Sequence, residues 1–180
     1  MNGTPAAAAA EFELLLPRIA HGMLRPEETI RASGEDDLCA DDLAARGDHL
    51  APTDVTFALE TELSSVRVAR CIATALLRRW HVKDRVDDVT TVISELVTNA
   101  LRHGTPLAAR EWVILLRLIK NFDTVMCVVA DASGFPPVLR EPNFVAETGR
   151  GLHVVQSYSR RWGWTPCPSG QGKLVWAMFW

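Results

Sequence analysis

The order in which two hydrophobic periods follow each other along the chain constrains the fold most. From Leu63 to His103 apolar residues recur every three or four positions, whereas from Trp112 onward they form short β-rich runs. The first spacing is typical of helices with one buried face, and the second is typical of strands. Helices gathered early and strands late predict an α+β two-layer sandwich, in which helices cover one face of a mixed, mostly antiparallel sheet.

The same patterns predict where the elements begin and end. Gly104 and Pro106 should end the second helix, because glycine accepts a left-handed cap and proline cannot continue a helix. Asn121-Phe122-Asp123 should join two antiparallel strands as a hairpin. The predicted elements are a half-buried strand at 53–59, helices at 63–80 and 85–103, strands at 112–119 and 124–130, a short helix at 151–159, and strands at 162–165 and 173–180.

Composition divides the chain into two regions. Residues 1–52 are rich in alanine and then acidic, without a sustained period, and they predict a flexible N-terminal arm. Within this arm, residues 12–23 could form a short amphipathic helix or remain a frayed tail. Residues 53–180 predict a single folded domain.

Charge and cysteine usage exclude several classes of function. A net charge of −3 lacks the basic excess of nucleic-acid-binding proteins. The four cysteines include no CxxC pair, which argues against a zinc site or a disulfide framework and fits reduced thiols. No apolar stretch approaches the roughly 18 residues that span a bilayer. We therefore expect a cytoplasmic protein that binds neither nucleic acid nor membrane.

The most informative stretch is Ser94-Glu-Leu-Val-Thr-Asn-Ala-Leu-Arg-His103. Glu95 and Asn99 are four residues apart and share one helix face, which His103 continues. The apolar stripe uses other positions. An amide oxygen beside a carboxylate suits Mg²⁺, and a nearby carboxylate can orient or deprotonate a hydroxyl. The alternative is an ordinary solvated helix face.

Two later turns carry polar chemistry of their own. In Val128-Val-Ala-Asp-Ala-Ser-Gly134 an apolar strand delivers Asp131 into a turn, where its carboxylate could accept a hydrogen bond from an exocyclic amino group. The alternative is an Asx turn. Gly149-Arg-Gly151 precedes a predicted helix, so backbone N–H groups could approach phosphate, although a plain loop fits as well. A phosphate-binding P-loop is excluded, because Gly172-Lys173 is followed by Leu174 and not by serine or threonine.

Taken in this order, the motifs resemble the ATPase superfamily shared by histidine kinases, gyrase, heat-shock chaperones and mismatch-repair proteins, known as GHKL ATPases with the Bergerat fold. The resemblance covers about residues 53–180. It is closest to the anti-sigma-factor serine/threonine kinase branch. The motifs that carry it are Ser65-Val-Arg-Val-Ala-Arg70, Ser94 to His103, Asp131-Ala-Ser133, Gly149-Arg-Gly-Leu152 and Gly172-Lys-Leu-Val-Trp-Ala177.

The resemblance implies a role for each matching residue. Asn99 would bind Mg²⁺, Glu95 would be the catalytic base and would reach the metal through water, and Asp131 would bind the adenine amino group. The implied ATP-binding residues also include His103, Ser133, Gly149, Arg150, Gly151 and Leu152. The implied cofactors are ATP and Mg²⁺. The implied partners are an antagonist protein of the anti-anti-sigma type, a sigma factor, or a second copy of the chain in a homodimer.

Three features depart from the pattern of the superfamily. Ser133 and Phe135 replace both glycines of D-x-G-x-G, the lid at 135–148 is short, and Leu174 stands where a threonine often lies near adenine. An alternative function is therefore a non-catalytic partner-binding module on a degenerate ATPase fold. A histidine kinase fragment is disfavoured, because no dimerisation helix with a phosphoacceptor histidine precedes the domain.

Overall fold

A six-stranded sheet with three α-helices makes up the part of the chain that the computed structural model describes, which is residues 29–32, 53–104, 113–139, 149–167 and 170–180. The strands are β1 (Thr29–Ala32), β2 (Asp54–Leu59), β3 (Ile114–Asn121), β4 (Thr124–Asp131), β5 (Arg161–Pro166) and β6 (Lys173–Phe179). The helices are α1 (Ser64–Arg79), α2 (Val86–Asn99) and α3 (Gly151–Tyr158).

The sheet confirms the predicted fold class. Its strand order is β1-β2-β3-β4-β6-β5, and only the β1–β2 pair is parallel. The predicted hairpin joins β3 to β4, with Asn121 opposite Thr124 across the turn. A mixed, mostly antiparallel sheet with separate helices is the arrangement expected of an α+β sandwich.

Strand β1 lies inside the region predicted as a flexible arm, so that prediction is wrong for residues 29–32. Thr29 to Ala32 pair in parallel with Thr56 to Leu59, and Ala32 is buried. A four-residue strand is too short to give a visible period, and its partner lies 27 residues further along the chain. The rest of residues 1–52, including the possible helix at 12–23, lies outside the described residues.

The two long helices form where the apolar stripes predict them. Seven residues of α1 are buried, whereas Leu63, which was expected to join the stripe, precedes the helix and is 78% exposed. The buried Ser65 donates its hydroxyl to the carbonyl of Glu60 at 2.6 Å, which ties the start of α1 to the end of β2. α2 continues into a π-helical turn, Ala100–Gly104, so the helical path ends close to its predicted boundary.

The central strands β4 and β6 are buried on both faces of the sheet. The inner face packs against α1 and α2 in the main core, to which Phe57, Leu116, Cys127 and Val129 belong. Side chains on the opposite face form a second cluster, which contains no residue of the described helices. Its buried members are Ile119, Met126, Val128, Ala130, Cys167, Leu174, Trp176 and Met178.

Burial of the second face corrects the prediction that the strand at 53–59 is half-buried. Thr56 and Ala58, expected to face solvent, are each only 8% exposed. β2 lies between β1 and β3, so both of its hydrogen-bonding edges are paired as well. Among the described helices, none is both long and apolar enough to cross a bilayer.

Candidate functional site

A cavity of about 410 Å³ opens between α2, the end of β4, the start of α3 and the start of β6. This volume lies within the range of roughly 300–1,000 Å³ that small-molecule sites occupy. The lining residues are Leu96, Asn99, Ala100, His103, Asp131, Ser133, Phe135, Pro136, Pro137, Val138, Gly149, Gly151, Leu152, Lys173 and Val175. The cavity is therefore apolar at its rim and polar where α2 and β4 meet.

Glu95 and Asn99 converge on the first residue of α3. A Cβ atom on Gly151 would lie 2.8 Å from Glu95 Oε2 and 3.2 Å from Asn99 Nδ2. Only a residue without a side chain allows the two polar groups to come this close to the backbone of α3. The helix face predicted from the four-residue spacing therefore meets a second predicted motif, the Gly149 to Gly151 turn.

The N-terminus of α3 leaves its backbone donors without a side-chain cap. Arg150 precedes the helix without a capping hydrogen bond, and the first turn contains no acidic residue. The preceding Gly149 has a φ of 101°, which favours glycine. Uncapped N–H groups and the helix dipole together attract an anion. Because Gly149 and Gly151 also line the cavity, this end of α3 is suited to a phosphate group.

Asp131 lies at the buried end of the cavity in an ion pair with Lys173. Lys173 Nζ is 2.7 Å from Asp131 Oδ1, and the side chains are only 7% and 5% exposed. The same oxygen accepts the backbone N–H of Ser133 at 2.9 Å, so the Asx turn that the sequence left open is present. Burial raises the pKa of Asp131, and the hydrogen bond and charge of Lys173 oppose that rise. His103 at the cavity wall adds a smaller opposing effect on the pKa.

Position 104 requires a glycine because the side chain of Asp131 packs against it, and not because a left-handed helix cap lies there. It is absent from the glycines with positive φ, so the capping prediction is wrong. A Cβ atom at Gly104 would lie 2.5 Å from both Cβ and Cγ of Asp131. The end of the π-helical turn therefore packs directly against the side chain of Asp131, which restricts where that carboxylate can lie.

Replacing Gly104 with alanine is expected to lower the free energy of unfolding by about 2 kcal/mol, as overpacking of a tight site does. The added methyl group must displace Asp131, whose ion pair with Lys173 would lengthen. Urea denaturation measures the loss. The matched control is Gly134→Ala, because a Cβ atom there meets nothing within 4 Å. Equal losses in the two variants would contradict the packing role of Gly104.

Most of the predicted site residues surround the same cavity. Glu95 contacts Gly151 beside the cavity, whereas Arg150 is exposed and does not line it. The predicted residues that line the cavity are Asn99, His103, Asp131, Ser133, Gly149, Gly151 and Leu152. Their roles toward a nucleotide stay predictions, but the structure brings their positions together from three separate motifs.

Lys173 lines the cavity but was not predicted as a site residue, whereas Leu174 was predicted near the adenine but lies on the opposite face of the sheet. Lys173 lies opposite Asp131 in the β4–β6 register, and the sequence signals for it were its place in the Gly172 to Ala177 motif and at the start of an otherwise apolar strand. Leu174 belongs to the second cluster on the opposite face of the sheet, so it does not take the place of a hydroxyl beside the cavity. Alternation along β6 puts Val175 on the cavity side instead.

Comparison with known proteins agrees with this arrangement. The family model of the histidine kinase-like ATPase domain matches residues 59–179, which include every described residue that lines the cavity. No curated protein matches the chain with significance. The match spans two thirds of the sequence and contains both helices of the site, the Asp131 turn and the glycines before α3. The chain belongs to the histidine kinase-like ATPase domain family.

Proposed function

We propose that the chain is an ATP-dependent protein serine/threonine kinase of the anti-sigma-factor type, which phosphorylates an antagonist protein, sequesters a sigma factor, or does both. The observation that carries the proposal is the convergence of Glu95 and Asn99 on the N-terminus of α3, next to a cavity that ends at Asp131. Membership of an ATPase domain family supports ATP as the ligand.

The cavity accommodates the parts of a nucleotide in a defined order. A purine base fits the end formed by Asp131, Leu96 and Val175, where a carboxylate accepts an amino hydrogen and apolar side chains contact the ring. Phosphates fit the opposite end, at the uncapped N–H groups of α3. Phe135 at the rim is 83% exposed and adds apolar surface next to the base.

Asn99 is the residue best placed to hold Mg²⁺. Its amide contacts the start of α3, where the phosphates would lie, and Glu95 is on the same side. Within the described residues no group of three or more His, Cys, Asp or Glu side chains could form a metal cage. This fits Mg²⁺, which usually takes one or two protein oxygens and completes its shell with phosphates and water. Bound there, the ion would neutralise charge on the phosphates.

Glu95 is the proposed base for phosphoryl transfer. The acceptor serine hydroxyl of the antagonist would attack the γ-phosphorus, forming an O–P bond while the bond to the β-phosphate oxygen breaks. Glu95 would take the hydroxyl proton, and ADP would leave. Positioning of the hydroxyl by a carboxylate, together with phosphate binding by the backbone of α3, supplies most of what such a reaction requires of a protein.

Two measurements test the proposal. Calorimetry should detect Mg-ATP binding by the full chain, and labelled phosphate should pass from ATP to a serine of an antagonist-type protein encoded near its gene. Glu95→Gln should retain binding and lower the transfer rate by about 10²- to 10⁴-fold, because it removes the base. Glu60→Gln, on an exposed residue away from the cavity, is the matched control.

The outcomes separate the kinase from its alternative. Binding of ATP without transfer to any acceptor would favour the non-catalytic partner-binding module. Absence of nucleotide binding at millimolar concentration would reject both the kinase and the ATP site. Undiminished transfer by Glu95→Gln would remove Glu95 from the mechanism while leaving the nucleotide site intact.

A further inference from the structure

Lys173 has a donor that the ion pair with Asp131 does not use. Its ammonium group bonds Asp131 Oδ1 at 2.7 Å and the backbone oxygen of Ser133 at 3.2 Å. An ammonium group carries three N–H donors, so one remains without a partner among the described residues. Lys173 lines the cavity although its side chain is only 7% exposed, so a bound molecule could reach that donor.

Asp131 leaves a complementary acceptor beside this donor. Oδ1 accepts from both Lys173 and the Ser133 backbone, whereas Oδ2 has no hydrogen bond among the described residues. The buried end of the cavity therefore offers one acceptor and one charged donor side by side. Adenine presents such a pair on its Watson–Crick edge, where the exocyclic amino group donates and the ring nitrogen N1 accepts, and again on the edge that carries N7.

We propose that Lys173 is a specificity-determining residue that donates a hydrogen bond to N1 of the bound adenine while Asp131 accepts from its amino group. The inference rests on the proposed function, because it assumes that ATP occupies this cavity. It explains why a lysine is buried at the start of an apolar strand, where a charge is costly without both a partner and hydrogen bonds. Asp131 and the backbone oxygen of Ser133 together use only two of the lysine's three donors.

The competing explanation is that Lys173 only neutralises Asp131. Under that explanation, loss of Lys173 would weaken binding of every adenine nucleotide equally, since the base itself would not contact the lysine. A direct hydrogen bond instead makes the effect depend on a single ring atom. Nucleotide analogues that lack one ring nitrogen therefore distinguish the two roles.

The test compares ATP, 1-deaza-ATP and 7-deaza-ATP by calorimetry with the full chain and Mg²⁺. The wild-type protein should bind 1-deaza-ATP at least about 10-fold more weakly than ATP, as loss of a hydrogen bond to a charged group predicts, and 7-deaza-ATP about as well as ATP. In Lys173→Met the difference between ATP and 1-deaza-ATP should disappear. Lys120→Met, on a lysine outside the cavity, should keep the wild-type pattern.

Each outcome decides the inference. If the wild type binds ATP and 1-deaza-ATP with affinities within twofold of each other, the inference is overturned. This comparison uses only the wild-type protein, so it does not depend on the folding of a variant. A preference for ATP that persists in Lys173→Met would also overturn it, because another group would then contact N1. If the wild type binds none of the three nucleotides, the proposed function itself fails and the role of Lys173 fails with it.

Discussion

Replacing Gly172 with alanine should lower the free energy of unfolding by about 3 kcal/mol, the largest loss expected from adding a methyl group to any of the glycines that the structure describes. Gly172 has a φ of 86°, a conformation that an L-residue adopts only with strain. Its Cβ atom would also collide with the backbone oxygen of Asp131, which belongs to the paired end of β4 and cannot move aside cheaply. Strain and collision act at the same position.

Gly170→Ala separates these two effects. Gly170 has a similar φ of 76°, but a Cβ atom there meets nothing within 4 Å. We expect a loss of about 1 kcal/mol from strain alone. In thermal denaturation this corresponds to a fall in Tm of roughly 3 °C, against roughly 10 °C for Gly172→Ala. Similar shifts for both variants would show that the approach of Gly172 to Asp131 contributes little.

Removing the amide of Asn99 should have the largest effect on ligand binding. Asn99→Ala is expected to weaken Mg-ATP binding by at least about 2 kcal/mol, or roughly 30-fold. The metal would lose its protein oxygen ligand, and the start of α3 would lose a polar neighbour. Titration calorimetry measures the affinity for ATP in the presence of Mg²⁺ and again after a chelator has removed the metal. The wild type should lose affinity when the metal is removed, whereas the variant should bind equally in both conditions.

Thr98→Ala is the control for Asn99. Thr98 is the preceding residue of α2 and is partly buried, but it does not line the cavity. It should bind Mg-ATP as the wild type does. An Asn99→Ala protein that kept a full response to Mg²⁺ would contradict the assignment of Asn99 as the metal ligand.

Helices and antiparallel strands could be predicted because burial leaves a period in the sequence. The stripe that ends at Trp80 and the spacing of Glu95 and Asn99 both depend on positions within one element, so they are visible without a structure. The meeting of α2 with α3 could be expected only from the resemblance to a family. No pattern in the sequence around either residue indicates that Gly151 lies against Glu95.

Contacts between distant strands could not be predicted in the same way. The ion pair of Asp131 and Lys173 depends on the register of β4 against β6, and their residues are 42 positions apart. Gly104 shows the same limit, since its small size has a capping explanation in the sequence and a packing explanation in three dimensions. The ion pair and the packing at this site therefore depend on tertiary contacts, which cannot be predicted from the sequence of one helix or strand.

Strand β1 has a practical consequence for how the protein is prepared. Truncation at the predicted domain boundary, residue 53, would delete the neighbour of β2, and truncation at the start of the family match, residue 59, would delete almost all of β2 as well. The N–H and C=O groups that now pair with the deleted strand would become an open edge, which readily recruits a strand from another molecule. A dimer that forms only after such trimming would reflect this new edge, so stoichiometry has to be measured on chains that retain Thr29 to Ala32.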